Sequence, residues 1–528
     1  MLKYYKYYSI RENNDFYEML YDINRLYKNN IAIKYRKNNQ IKQLTYQELL
    51  ENICNIHNYY NINNIKNKNI GIISENRYEY IPIYLATVFK NVIAPIDKEI
   101  ANVELYKLII KFDIKVLYYT NKTKAKLVDV IGKLNITTIN IDEEFDTIVS
   151  SIANVEETLE RFKIIANKDK FSTLAFTSGT TGDLRGVMLS QSNVVSNLSA
   201  AHKNNNLKGP FLSILPMNHT YGFNPGVLTA LYIGTTICIN MDLKHFLKDI
   251  KEYDPYYIGT VPLVVEGVYK NILTEIKKRK KEKTFNRMIK LSNFLLKFKI
   301  DIRKLLFGSI LSKNLNLLVS GGASLDEYYV KKYNEIGIKV LNGYGLTECS
   351  PLVSVNRDIC NVLGSVGTII DRVSVKISED NEILVKGPNV MLGYYKDKLA
   401  TKKAMIGGYY KTGDLGYKVG NTLYINGRKK NLIILSNGKN FSPEELESKL
   451  LQLPYIKESL VYLNKHAKIL AKVYIEANEF INKEQLDNDI KKINTDLPYY
   501  KRIDEYIVVD EEFAKTSTKK ILRSNYVK

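Results

Sequence analysis

Tryptophan is absent from this 528-residue chain, and cysteine and histidine are scarce, at four and five residues. The cysteines, Cys54, Cys238, Cys349 and Cys360, are scattered without a CxxC pair. Such spacing argues against a disulfide framework or a cysteine-built zinc site. The histidines form no HxxxH or HExxH arrangement, so the other common metal-ligand pattern is missing too. Long apolar runs are also lacking. The greasiest stretch, YIPIYLATVFKNVIAPI, is broken by Lys90, and none reaches the roughly 18 clean apolar residues of a membrane span. The opening MLKYYKYYSIRENNDF contains nothing resembling a signal peptide. These absences lead to the expectation of a soluble protein of a reducing, cytoplasmic compartment.

The chain is too long for one compact core, so two or more domains are expected. Hydrophobic residues at 45% and charged residues at 25% exclude wholesale disorder. Lys plus Arg (77) exceed Asp plus Glu (56), giving +21. Charge of that sign suits an anionic partner: nucleic acid, a membrane surface or a phosphorylated substrate. Lys, Asn, Ile and Tyr are nevertheless abundant along the whole chain, which marks a global composition bias. No nucleic-acid motif accompanies the charge, and no nucleic-acid partner is expected.

From about Leu44 to Asp242, apolar strand patterns alternate with amphipathic helix patterns: NIGIIS, then YEYIPIYLATVFK, then KVLYYT. LNLLVSGGASL and IKVLNGYGL continue the rhythm. Strand, helix, strand in this order reads as βαβ units and a mostly parallel sheet. Near Ile369 the segments shorten and carry hairpin-like turns, as in KISEDNEILVKG and YKVGNTLYING, and Arg428 to Lys528 holds a further βαβ-like pattern. No solenoid repeat is present.

Chemistry-bearing motifs lie between these elements. In FSTLAFTSGTTGDLRGVMLSQSNVV an apolar strand runs into Thr177, Ser178, Gly179, Thr180, Thr181 and Gly182, then Arg185-Gly186, with a helix expected after Ser190. Glycines let successive N–H groups turn toward one point and the hydroxyls add donors, which suits a polyphosphate. No GK[ST] follows, so this is not a Walker A loop. In NGYGLTECSP, Tyr344 stands between Gly343 and Gly345, where an aromatic can lie against a planar base. Thr347 and Glu348 then offer a hydroxyl for a phosphate oxygen and a carboxylate for a hard divalent cation. In GYYKTGDLGY, Asp414 is read on a tight turn after Thr412-Gly413, able to accept from a ribose diol. Alone that signal is weak, since Asp in a turn is usually local capping. INGRKKNLIILSNGKNFSPEELE and FAKTSTKKILR are basic and, by themselves, read as solvated surface.

In this order and spacing the segments resemble the adenylate-forming (AMP-binding) superfamily, from roughly Asn29 to the C-terminus. The resemblance is closest to its long-chain fatty acyl-CoA synthetase branch. YYIGTVPLVVEGVYKNI, the long insert ending DIRKLLFGSI, and LSNGKNFSPEELE carry that finer likeness. It implies an α/β fold: a large N-terminal domain, residues 1–427, with mostly parallel sheets and a small β-barrel-like part, and a small mobile α+β C-terminal domain, residues 428–528. The implied activity is ATP-dependent conversion of a fatty acid to acyl-AMP, then transfer to coenzyme A. Alternatives are loading of an acyl carrier protein, or a nucleotide-binding relative that no longer catalyses. Amino-acid-activating relatives place an Asp where this chain reads LPMNHTYGF, so a plain carboxylic acid is implied.

By the same resemblance, Thr177 to Gly182 would hold the β- and γ-phosphates, with Arg185 nearby. Gly322, Ala323, Ser324 and the Asn342–Gly345 stretch with Tyr344 would frame adenine. Thr347 would bind the α-phosphate and Glu348 Mg²⁺, and Asp414 and Arg428 would hold the ribose. Lys520 would be the catalytic lysine, Asn431 the hinge, and Gly438 would approach the thiol channel. The chain departs from the family pattern at Leu184 (usually Pro), Arg185 (usually Lys), Gln191 (commonly His) and Lys519 (often Gly). Finally, KKRKKEK leads into FNRMIKLSNFLLKFKIDIRKLL, where Phe285, Met288, Ile289, Leu295 and Leu296 recur at helical spacing. This stripe either packs on the large domain or, with Lys277 to Lys304, rests reversibly on an anionic membrane.

Overall fold

A computed structural model describes residues 6–127, 130, 132–151, 153–178, 184–240, 242–323, 325–435, 439–453, 455–475, 482–515 and 521–526. The chain divides into two compact units. The first comprises residues 1–375, 385–410 and 420–422, and the second residues 376–384, 411–419 and 423–528.

The first unit contains two sheets. One holds seven strands among the described residues, in the order Gly393–Tyr394, Leu184–Ser190, Phe171–Ser178, Val92–Ile96, Asn69–Ile73, Ile114–Tyr119, Thr137–Asn140. The run from Phe171–Ser178 to Thr137–Asn140 is parallel. Its strands are almost continuously apolar because both faces are covered. The connecting helix Tyr80–Thr87 is buried on every side, so it has no polar stripe to show. Leu184–Ser190 folds back antiparallel on Phe171–Ser178 and leads into helix Gln191–Asn204, which starts after Ser190. The Ser190 hydroxyl accepts from the Asn193 N–H, and the Asn193 side chain returns the bond, a reciprocal cap.

The second sheet of this unit runs Gly367–Ile369, Leu352–Val355, Lys339–Gly345, Leu317–Ser320, Tyr257–Thr260, Phe211–Ser213, Ile237–Ile239, Ile31–Lys37, Gln40–Thr45. Strands from Lys339–Gly345 to Ile31–Lys37 are parallel, with antiparallel strands at both margins. Helices Pro262–Lys278 and Glu282–Leu296 contribute Val265, Tyr269, Ile272 and Phe285 to the core beside this sheet. The mostly parallel architecture expected from the alternating pattern is present.

In the second unit Ile456–Leu463 pairs antiparallel with Ile469–Ile475, which pairs parallel with Glu505–Val509. Helix Lys483–Thr495 lies between the two parallel strands in the chain, the βαβ unit read from the sequence. Leu446, Leu450, Val461, Val473, Leu486 and Ile490 form its core. Among the described residues, no helix is long and apolar enough to cross a membrane.

Candidate active site

The parallel register of Leu317–Ser320 and Lys339–Gly345 pairs Val319 with Leu341 and Ser320 with Asn342. Gly321, Gly322 and Ala323 therefore leave the sheet beside Gly343 and Tyr344. Carboxyl ends of parallel strands are where open α/β sheets bind ligands. Tyr221 closes the floor here: its hydroxyl donates to Val319 O at 2.8 Å and lies 3.0 Å from Thr260 O. A Cβ on Gly321 would sit 2.8 Å from Tyr221 Cζ, so only glycine lets the ring pack there.

The Gly-Tyr-Gly segment lies within the strand Lys339–Gly345. Gly343 pairs with Val355 and Tyr344 with Ser354 across an antiparallel ladder. The glycine at 345 has its own reason: a Cβ would stand 2.0 Å from Pro351 O. Close backbone approach, more than room for Tyr344, dictates that residue. The strand ends in the short turn Thr347–Cys349, which presents Thr347 and Glu348. The Thr220 hydroxyl reaches the Thr347 hydroxyl at 3.5 Å.

Glu348 is held from both ends. Its carbonyl accepts from the Met391 N–H at 2.8 Å, and its Oε1 accepts from the Tyr394 hydroxyl at 2.9 Å. The Tyr394 hydroxyl also lies 3.3 Å from that of Tyr410. Burial, and next the Glu348 charge, push the Tyr394 phenol up to about 12, and the same causes raise that of Tyr410. Both phenols are thus neutral at ordinary pH. Among the described residues nothing donates to Glu348 Oε2, and no cation reaches the carboxylate within the 4.0 Å of an ion pair. One tethered and one open carboxylate oxygen fit Mg²⁺, which is commonly held by one or two carboxylates plus substrate phosphates.

Tyr394 also links Glu348 to the Gly-rich hairpin. Strand Gly393–Tyr394 pairs with Leu184–Ser190, and the Arg185 guanidinium carbon lies 5.3 Å from the Tyr394 ring centre. Both cations can sit over an aromatic face, but the planar guanidinium can also stack on it, which gives the Lys-to-Arg departure a local reason. Thr177 stands opposite Arg185 in the hairpin. Gln191, the other departure, is buried: its amide donates to Val88 O at 3.0 Å and accepts from the Phe16 N–H at 3.2 Å. Gly179, Thr180, Thr181, Gly182, Ser324, Gly438, Lys519 and Lys520 lie outside the described residues, as does the side chain of Ser178.

Beside this cluster an apolar pocket holds about 630 Å³ of empty space, its open mouth included. Tyr221 and Gly343 line it next to the strand ends, and Phe211, Gly226, Tyr257 and Gly259 line it deeper along the sheet.

In the second unit, Asp414 and Arg428 meet each other. Asp414 is 4% exposed, and its Oδ1 lies 2.9 Å from Arg428 Nε. Asp414 sits within the strand Tyr409–Val419 instead of on the expected turn, the chain kinking at Gly413 with φ +71°. Its N–H donates to the Thr412 hydroxyl, which donates to Ile383 O. The hinge candidate Asn431 donates to Glu444 Oε1 at 2.6 Å. Lys515 bridges to Ile521, and Arg523 binds Glu447 at 2.6 Å.

Sequence reasoning missed Tyr394, Tyr410, Thr220 and Tyr221. Tyr394 lies in MLGYYKD, and in a chain with 40 tyrosines such a residue does not stand out.

The chain belongs to the AMP-binding enzyme family: the family model matches residues 22–395, and that of the AMP-binding enzyme C-terminal domain matches 430–528. A probable acyl-activating enzyme of Arabidopsis thaliana is 29% identical over 68% of this chain and 62% of its own. A long-chain-fatty-acid–CoA ligase of Mycobacterium bovis is 31% identical over 58% of this chain and 55% of its own. A chloroplastic long-chain-fatty-acid–[acyl-carrier-protein] ligase of Arabidopsis thaliana is 28% identical over 59% and 52%. The chain thus spans between about half and two thirds of the length of these relatives. The fold matches that of the o-succinylbenzoate CoA synthetase of Bacillus subtilis bound to an acyl-adenylate, with TM-score 0.76 at 21% identity over 98% of each chain.

Proposed function

We propose that the protein activates a fatty acid in two half-reactions. The acid's carboxylate attacks the α-phosphorus of ATP, giving acyl-AMP and pyrophosphate. A thiol, that of coenzyme A, then attacks the acyl carbon and AMP leaves. The observation that carries this reading is Glu348, which among the described residues has one oxygen open and no cation in ion-pair range, at strand ends that also border an apolar pocket. Family membership and the long-chain relatives support it.

In this reading the Thr177–Gly182 segment and Arg185 take the β- and γ-phosphates. Gly322, Ala323, Ser324 and Asn342–Gly345 frame adenine, and Thr347 meets the α-phosphate. Glu348 would hold Mg²⁺, which would supply a positive charge to the phosphate oxygens. The buried neutral phenol of Tyr394 keeps the carboxylate in place without cancelling its charge. Asp414, whose Oδ1 is held by Arg428, accepts from the ribose hydroxyls. Lys520 bridges the substrate carboxylate and the α-phosphate during adenylation, where charge accumulates in the transition state. Residues 428–528 act as the mobile part, turning at Asn431 to withdraw Lys520 and bring Gly438 toward the thiol, one closed arrangement per half-reaction. The apolar pocket takes the acyl chain.

A screen of straight-chain acids from acetate to arachidate, with ATP and either coenzyme A or holo-acyl carrier protein, reads AMP release and so tests acid and acceptor together. The similarity to an acyl-carrier-protein ligase makes the second acceptor worth its arm. AMP released with long-chain acids and coenzyme A supports the reading. Absence of both AMP release and ATP–pyrophosphate exchange overturns it in favour of a non-catalytic nucleotide binder. Lys520→Ala should cut acyl-adenylate formation by roughly 10²- to 10³-fold and spare thioester formation from synthetic acyl-AMP. Equal losses in both half-reactions would show that the lysine does not serve adenylation alone.

A further inference from the structure

Helix Glu282–Leu296 has two apolar faces, and the fold uses one. Phe285 and Ser292 are buried, and Met288 and Ile289 pack against the same core. The stripe that the sequence offered for a membrane is therefore largely interior. At about 100° per residue, Arg287, Lys290, Leu291 and Phe294 fall on the opposite side. Phe298, in the turn that follows, meets Phe294 edge-on with ring centres 5.3 Å apart. Leu291, Phe294, Phe298 and Ile300 are 50%, 54%, 62% and 50% exposed, and Leu305 is 83% exposed. An aromatic pair standing in water at one end of a helix is costly unless something apolar covers it.

The surrounding charge indicates what does. Between residues 275 and 304 twelve Lys and Arg side chains stand against three acidic ones, Glu275, Glu282 and Asp301. Glu275 is engaged by Lys278 and Arg279, and Asp301 by Arg303, so most of the cations have no acidic partner within this segment. We propose that this outer face docks on an anionic lipid bilayer. Phe294 and Phe298 enter the headgroup–acyl boundary, and Arg287, Lys290, Lys297 and Lys299 reach lipid phosphates with their stems along the apolar zone. A second copy of the chain would oppose the same cationic surface to itself. A nucleic acid would answer the charge but offers no hydrocarbon for Leu291, Ile300 and Leu305. The proposal does not depend on which acid the enzyme takes, although a water-insoluble acid partitions into the same bilayer.

The full chain is sedimented with phosphatidylcholine vesicles with and without phosphatidylglycerol. Binding is expected with the anionic vesicles at low salt, fading at high salt, and not with phosphatidylcholine alone. Phe294→Ser with Phe298→Ser should weaken it by about tenfold or more. Arg287→Gln, Lys290→Gln, Lys297→Gln and Lys299→Gln together should weaken it on the order of a hundredfold. All six side chains are exposed, so circular dichroism and the urea midpoint should match the parent. Parent protein that stays in the supernatant with anionic vesicles at low salt overturns the proposal. So does a phenylalanine double variant that binds as tightly as the parent, which would leave only diffuse charge. A dimer in sedimentation velocity that the double variant dissociates, with no vesicle binding, would assign the face to a second copy instead.

Discussion

Glu348 and Asp414 are both carboxylates on glycine-punctuated segments, yet their surroundings differ in kind. Glu348 is half-exposed and steadied by a neutral phenol, with no cation in ion-pair range among the described residues. Asp414 is buried and paired with the half-exposed Arg428. A carboxylate oriented by neutral donors keeps its charge for an incoming cation. One already matched by a guanidinium has spent its charge on the fold and is left to accept hydrogen bonds. Under the proposed function the two acids would have separate tasks, metal holding for Glu348 and hydroxyl recognition for Asp414.

The sharpest way to break it is Glu348→Gln. Adenylation should fall by about 10²- to 10³-fold with a shifted Mg²⁺ requirement, while the urea midpoint stays put, because the amide oxygen can still accept from Tyr394. An unchanged Mg²⁺ dependence would remove Glu348 from the metal site. Asp414→Asn should show the opposite balance. The KM for ATP should rise by about tenfold, from weakened charge-assisted hydrogen bonds. Stability should drop by only about 1 kcal/mol, since Arg428 keeps water on one side. If Asp414→Asn alters the Mg²⁺ requirement more than Glu348→Gln does, the two tasks are reversed.

Tyr394→Phe probes the neutral tether. Losing one hydrogen bond to a charged acceptor should cost about tenfold in kcat/KM, with the loss partly recovered at higher Mg²⁺; full activity would show that the tether is dispensable. The smallest effect on overall rate is expected at the pocket, where the change is one of selectivity. Gly259 faces Phe211, with a Cβ at 3.6 Å from its ring, so Gly259→Leu should fill the deep end. Preference should move toward shorter acids by roughly 10- to 100-fold in relative kcat/KM, while Mg²⁺ dependence stays unchanged. No change in chain-length profile would place the acyl chain elsewhere.

Much of the fold was legible because it rests on local patterns. Asn69–Ile73, Tyr80–Thr87, Ile114–Tyr119 and Lys339–Gly345 lie where apolar runs and helical spacing put them. The start of helix Gln191–Asn204 follows from a capping serine. Motif order likewise drew attention to Thr347, Glu348, Asp414 and Arg428. The return strand Leu184–Ser190 and the strand around Asp414 were not read, because short mixed runs of apolar and polar residues beside glycines satisfy turn and strand rules equally. The basic helix was half legible: its 3.6-residue period showed an apolar stripe, but not the second face bearing Phe294 and Phe298.

Composition, periodicity and motif spacing by themselves determined the α/β class, the family resemblance and the candidate residue types, because each depends on neighbours in the chain. Tertiary structure alone decided which residues far apart in the chain meet. Ile31–Lys37 pairs with Ile237–Ile239, Tyr394 reaches Glu348, and Arg185 covers Tyr394. Tertiary structure likewise decided which face of helix Glu282–Leu296 the core consumed. Pairings of that kind are set by packing and strand register over long loops, and no local preference of either partner encodes them.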